Sequence, residues 1–441
     1  MPQGEAQQPV APAIPRRLPA SAGDQAMVLG GRLSDLQIRC VLTFSARVDA
    51  ARLARAVRLT LDAEPVLGCR FVGDPWLPYW ERLDGLDAQP LCPTVQPHDA
   101  ERALHGFLAE PLDPWAGLPL RVRLFRAEHD TLCVKVHHAV ADGRGVLEYL
   151  TLLASTYREL ALDPTYQPQP NLHGSRQPSQ VWRQAGAREM LHAVRHFSGQ
   201  GPLAWSRPDA GHAAGPAFAV RRLGPEASRG IRAYSQEMGV TVTAVLLTAT
   251  YRALFELLDP PQGVPLPMVV AMDLRRHIPS GRAGAICNLS GGLYPAITRR
   301  PSAPFSATLQ QVHAALEAAK ATHVEMAQML FLHLAFVRGF GVAHRLAGHF
   351  VAVRPTGAGG SRFSPGLSNL GVVDPWLAAF GEGALSDLVV FGPANYPPDL
   401  GLTVSTFGGR MAVTMGYSDT PGEALLVRRF LELLMGELGA L

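Results

Sequence analysis

Apolar residues recur at every second position over Gln37–Phe44, where Ile38, Cys40, Leu42 and Phe44 share one face of a predicted strand. Asp49 then stands as a helix N-cap ahead of AARLARAVRLTLDAEP, in which Leu53, Ala56, Val57 and Leu61 fall on one helical face. Short strands are expected at Val66–Val72 and Tyr79–Leu83. The clearest alternation lies in LPLRVRLFRAEHDTLCVKVHHAV. Leu120, Val122 and Leu124 precede a turn at Glu128–Asp130, and Leu132, Val134 and Val136 follow it. That pattern predicts a hairpin with one buried face. Past Gly143 and Gly145 the period turns helical over Val146–Leu160, with Leu147, Leu150 and Leu153 inward.

Pro, Gln, Gly and Ser crowd residues 163–217, around one helical piece at Val181–His196, and this stretch reads as a crossover between two halves. The second half opens with helices at Glu226–Met238 and Thr241–Leu258, divided by Gly239 at a C′ position. A strand at Pro267–Met272 and a helix at Phe305–Thr322 follow. LSDLVVFG, LGLTVSTF and RMAVTMGY read as strands, the last two joined at Gly408-Gly409 as a hairpin, before a final helix at Gly422–Leu438. The expected organisation is an extension over 1–22, a first lobe over 23–175, a linker over 176–216 and a second lobe over 217–441. The longest apolar stretch, Val240–Leu258, is interrupted by polar residues and reads as a core helix, not a membrane span.

Composition narrows the class without changing that picture. The 441 residues are 47% hydrophobic and 17% charged, so the chain is globular. Forty basic residues face 37 acidic ones, which gives no reason to expect nucleic acid as a partner. Cys40, Cys69, Cys92, Cys133 and Cys287 are scattered, odd in number and without a CxxC, which fits a reducing, cytoplasmic setting. The start MPQGEAQQPVAPAIPRR has no basic-then-apolar secretory pattern.

His137 and His138 close the second hairpin strand, and Asp142-Gly143 follows four residues later. Alternation sends the two imidazoles to opposite faces, so one of them borders whatever space the strand tip opens onto. An imidazole, with an ordinary pKa of about 6.5, suits general-base work near neutrality. Asp142 can order the loop or bind an arginine elsewhere.

The string His137-His138-Ala139-Val140-Ala141-Asp142-Gly143 resembles the HHxxxDG signature of the chloramphenicol acetyltransferase-like superfamily, which includes nonribosomal-peptide condensation domains, polyketide-associated acyltransferases and alcohol acetyltransferases. MDLRRHIP, CNLSGGLYP and LSNLG in the second half resemble further strands and loops of that superfamily. The resemblance implies an α/β, two-lobed chloramphenicol acetyltransferase-like fold with the active-site tunnel between the lobes. It implies that His138 takes the proton from a hydroxyl or amine acceptor, which then attacks an acyl thioester on coenzyme A or on a carrier-protein phosphopantetheine. No bound cofactor is implied; the phosphopantetheine thioester is a co-substrate. His137 and Asp142 become structural, Asp142 pairing with an arginine of the second lobe, for which Arg275 is the candidate and Arg276 the alternative. Gly143 leaves room for the pantetheine arm, and Ser368 or Asn369 stands near the developing oxyanion. Asn288 reads as a loop residue.

The DFGWG string of the plant branch is absent; STFGGRM keeps only its Phe-Gly pair. GxSxG, GxxxxGK[ST] and HExxH are absent too, and histidine spacing suggests no zinc site. Two alternatives stay open: a free-standing condensation enzyme acting between carrier proteins, and a non-catalytic carrier-binding relative.

Overall fold

A computed structural model of the chain describes residues 13–32, 34–197, 204–207, 214–345, 356–357, 360–374, 377, 380 and 385–441. The alternating hairpin forms, with its turn at 127–129 rather than at Glu128–Asp130, because Asp130 already pairs with Arg126. Leu120–Arg126 and Asp130–His137 run antiparallel with Leu120 opposite Val136, Val122 opposite Val134 and Leu124 opposite Leu132. All six side chains are buried, each contributing roughly 1.5–3 kcal/mol through loss of apolar surface to water. The first sheet runs Leu385–Phe391, Gln37–Phe44, Asp130–His137, Leu120–Arg126, Thr94–Val95. Helices Ala50–Ala63 and Gly143–Leu162 cover one face and share its core. Phe107 and Leu108, from helix Ala100–Ala109, meet Phe125 and Cys133 on the other.

The second sheet is six-stranded, in the order Ser290–Leu293, Val269–Asp273, Gly366–Val372, Gly401–Phe407, Arg410–Ser418, Pro216–Leu223. Its hairpin turns at Gly408 and Gly409, with φ of 55° and 76°, values a side chain would resist. Helices Val242–Leu258, Phe305–Ala321 and Pro421–Gly439 pack into one core against it. Among the described residues no single helix is long and apolar enough to cross a membrane. The mixed α/β architecture in two lobes is the one expected.

Four other local expectations need correction. The second half is not self-contained, because Leu385–Phe391 pairs antiparallel with Gln37–Phe44 in the first sheet. That strand is apolar on both faces: Leu388 and Val390 enter the first core, while Val389 and Phe391 cluster with Ala412 and Phe218. Such a strand is stable only when covered on both sides. The segment expected to be a loose extension is structured from Arg17, since Arg17–Pro19 pairs with Tyr79–Arg82 and Ser21 forms a capping box with Asp24. Asp24 is fully buried and accepts from Trp80 Nε1 at 2.8 Å and Arg176 Nη1 at 2.8 Å; residues 1–12 lie outside the described ones. The strand expected from Val66 starts at Cys69, after a 3-10 turn at Pro65–Gly68. The crossover helix is two, Ser179–Trp182 and Ala187–His196.

All five cysteines are free and buried. Burial pushes the thiols of Cys69, Cys92, Cys133 and Cys287 up to about 12, which suppresses the reactive thiolate. A thiol reagent at pH 8 is therefore expected to leave the folded protein untouched and to count five cysteines once denaturant is added; rapid labelling of the native chain would refute it.

Candidate active site

The site is assembled where the histidine strand ends. His138 follows Asp130–His137 directly, and its backbone N–H donates to the Leu36 carbonyl at 2.8 Å. His137 turns inward: it is buried, and its Nδ1 accepts from the Ala139 N–H at 3.2 Å, leaving the neutral ring's proton on Nε2. Burial, with His138 adding to it, pushes the His137 pKa down to about 3. An unfolded chain binds that proton near pH 6.5, so His137 contributes stability in full above 6.5 and progressively less as pH falls toward 3. The urea midpoint of the wild type is expected to drop further between pH 7 and 4 than that of His137→Gln, and parallel profiles would refute the assignment.

His138 is only partly buried and meets the second lobe through Asn288. Asn288 Nδ2 donates to the His138 carbonyl at 3.1 Å and lies 3.0 Å from His138 Nδ1. Its Oδ1 accepts from the N–H and hydroxyl of Ser290 at 3.1 and 2.8 Å, which sets the orientation of the amide. The tautomer decides what the ring can do. With Nδ1–H turned onto the residue's own carbonyl, Nε2 keeps its lone pair and can accept a proton; with Nδ1 accepting from Asn288, Nε2 carries the proton and can only donate it. Burial holds the His138 pKa below its ordinary range, against the opposing pull of Asp142 and of that internal hydrogen bond. The ring is thus neutral at pH 7.

Asp142 does not touch substrate space so much as fasten the loop. It caps helix Gly143–Leu162, its Oδ1 accepting from Gly145 N–H at 2.7 Å. Its Oδ2 accepts from Leu289 N–H at 2.7 Å and from Arg275 Nη1 at 2.9 Å. Arg275, on the 3-10 turn Leu274–His277, also donates to the Cys287 carbonyl at 3.0 Å and to Asp273 at 3.1 Å. Asp142 and Arg275 are 3% and 1% exposed, so this is a buried interlobe ion pair, with the Asp142 charge holding the guanidinium pKa up against burial. Arg276, the alternative, is exposed. A Cβ on Gly145 would sit 2.8 Å from the Cys287 carbonyl, so this close interlobe approach requires glycine there.

A cavity of about 170 Å³ opens beside Asp142 and Gly143, walled by Met272, Asp273, Ser290, Ser368, Asn369 and Leu370 among others. Any side chain on Gly143 would meet Leu370. Asn369 is partly committed, donating to Thr243 Oγ1 at 3.0 Å and accepting from Gly371 N–H at 3.0 Å; Ser368 faces the cavity without such ties. A register shift between Asn369 and Val372 bends this strand at the cavity wall. A roomier pocket of about 590 Å³, walled in part by Phe107, Arg121 and Arg123, lies elsewhere on the first lobe; what ties the smaller cavity to the site is its lining by Asp142 and Gly143, since His138 itself lines neither.

The fold therefore brings His138, Asp142, Gly143 and Arg275 together and sets Ser368 and Asn369 along the adjoining cavity. Asn288 was undervalued as a loop residue; it is the second lobe's contact to His138, and only its position in CNLSGGLYP hinted at it.

Neither the family models nor the curated proteins include a match to this chain. Solved structures do match. The first condensation domain of the CDA synthetase aligns over 96% of this chain and 96% of its own, at 18% identity and a TM-score of 0.65. Polyketide synthase associated protein 5 from Mycobacterium tuberculosis aligns over 96% and 98%, at 16% identity and a TM-score of 0.64. TRI3 trichothecene 15-O-acetyltransferase from Fusarium sporotrichioides aligns over 96% and 95%, at 12% identity and a TM-score of 0.66. The chain has the two-lobed fold of these structures, which is the fold that the HHxxxDG resemblance implied.

Proposed function

We propose that this chain is an acyltransferase that moves an acyl group from a phosphopantetheine thioester, on coenzyme A or on a carrier protein, to a hydroxyl or amine acceptor. The observation that carries the reading is the clamped loop: His138 stands at the strand end, held by Asn288 and followed by an Asp142 that three donors fix in place. A loop locked this firmly around a partly open, neutral imidazole is suited to a base that must act without reorganising. The structures of similar fold include acyl-transferring and condensing enzymes by name, which supports the same class.

In this reading Nδ1–H stays on the His138 carbonyl, and Nε2 accepts the acceptor's proton as its oxygen or nitrogen attacks the thioester carbon. The carbonyl becomes an oxyanion, for which the Ser368 hydroxyl on the cavity wall is a candidate donor. Collapse breaks the C–S bond, and the imidazolium returns its proton to the departing thiolate. Protons balance without a covalent acyl-enzyme. Holding both substrates along the cavity supplies part of the rate by proximity.

The test is thiol release by the purified chain, offered a panel of acyl-coenzyme A donors with mixed alcohols and amines. Acceptor-dependent release supports transfer from the free thioester. Release only from an acylated carrier protein supports a condensation-type donor. Absence of acceptor-dependent turnover with either donor class would overturn the proposal in favour of a carrier-binding relative.

A further inference from the structure

A second cluster of ionisable side chains lies away from His138, where the crossover meets the second lobe. Glu189 comes from helix Ala187–His196, His277 ends the turn that carries Arg275, and His323 sits at the start of helix Val324–Ala335. One ligand atom from each of Glu189, His277 and His323 lies within 4.8 Å of the other two. His323 Nε2 is 3.7 Å from Glu189 Oε1, and His277 Nε2 is 3.1 Å from Glu325 Oε1. Two ligands on one tetrahedral zinc ion, with bonds of 2.0–2.1 Å, stand about 3.3 Å apart. The observed separations need only small side-chain shifts to meet that.

Polar bookkeeping points the same way. The buried Nδ1 of His323, one of the three residues, has no hydrogen-bond partner. Buried orphans are few in native proteins, and an absent ion is one of their ordinary explanations. Among the described residues Glu189 and Glu325 have no lysine or arginine partner; each faces a histidine. A divalent cation would supply the positive charge that neither carboxylate receives from a lysine or arginine. Glu189 is 39% exposed and leaves a way in for the ion.

We infer that Glu189, His277 and His323 bind one divalent transition-metal ion of the zinc class, with Glu325 orienting His277 from behind. Imidazole with carboxylate is the donor set that such ions favour over magnesium or calcium, and a carboxylate behind a ligating histidine is the usual means of holding its ring. The bound ion fastens the crossover helix to the turn that carries Arg275, two residues from His277. Spacing concealed this site, because its ligands are 88 and 46 residues apart in sequence (189 to 277, and 277 to 323).

The experiment strips the full-length chain with a chelator and titrates it with Zn²⁺ against a chromophoric competitor, then with Co²⁺ while visible absorption is read. Saturation at one equivalent, a four-coordinate Co²⁺ spectrum and a Tm that rises by several degrees with Zn²⁺ are expected. Glu189→Gln, at the exposed edge, is expected to keep the metal-free Tm and weaken Zn²⁺ binding at least tenfold; His277→Gln with His323→Gln is expected to abolish it. Failure to bind one equivalent, or binding unchanged in the double variant, would overturn the inference. So would histidine titration curves showing that both imidazoles are protonated at pH 7 with Zn²⁺ present, because charged histidines would then neutralise the carboxylates themselves.

Discussion

His138→Ala is expected to lower acceptor-dependent thiol release by about 10²–10⁴-fold, the ordinary worth of a positioned general base. The loss should appear in kcat more than in KM, because the ring in this reading acts on the proton in flight rather than on the resting substrate. Folding should be little affected. The ring is partly exposed, and its two backbone contacts, the N–H to Leu36 and the carbonyl to Asn288, survive truncation at Cβ. An unchanged near-UV spectrum and Tm would show that. The pH profile supplies a second reading of the same group. A base works when deprotonated, and burial places the His138 pKa below its ordinary 6.5. The acid limb of kcat/KM is therefore expected below pH 6.5 and should vanish in His138→Ala. Acceptor-dependent turnover that survives the substitution would reject His138 as the base.

Breaking the Asp142–Arg275 pair is the costliest change expected for stability. Arg275→Met leaves Asp142 charged, buried and short of a donor, and the loss of one partner from such a pair typically costs about 3–5 kcal/mol. Asp142→Ala should cost as much, since it orphans Arg275 together with the N–H groups of Gly145 and Leu289. The double variant should be less destabilised than the sum, with an interaction energy of about 0.5–3 kcal/mol in a thermodynamic cycle. Arg276→Ala, on the exposed neighbour, should stay within about 0.5 kcal/mol. Urea unfolding monitored by fluorescence gives all four values. Equal, small effects for Arg275 and Arg276 would contradict the assignment of the ion pair. Because the pair joins the lobes beside the cavity, activity should fall with stability in both single variants.

The sites differ in how far they were legible. The string from His137 to Gly143 could be read because its residues are neighbours in the chain: a strand tip, a turn and a helix cap are local objects, and Asp142 capping Gly145 is a three-residue contact. Arg275 stood out only through the MDLRRHIP resemblance, and the choice between it and Arg276 required the turn geometry that buries one and exposes the other. Asn288 looked like a loop residue because its importance comes from a contact 150 positions away. The cluster of Glu189, His277 and His323 left no trace at all, since nothing in local spacing links a crossover helix to two later turns.

Most of the secondary structure was determined by the sequence alone. Alternation specified which hairpin residues share the buried face, and the caps at Asp49 and the glycines at 408 and 409 set element ends. These features depend on near neighbours, whose energetics the chain carries with it. The tertiary structure alone decided which core each surface joins. The strand Leu385–Phe391, apolar on both faces, crosses into the first sheet, and the residues around Arg17 and Asp24 are held by Trp80 and Arg176. Hydrophobic burial is non-directional and buried charges accept any partner that reaches them. Local pattern can therefore say that a strand or a carboxylate must be covered, but only the packed fold says by what.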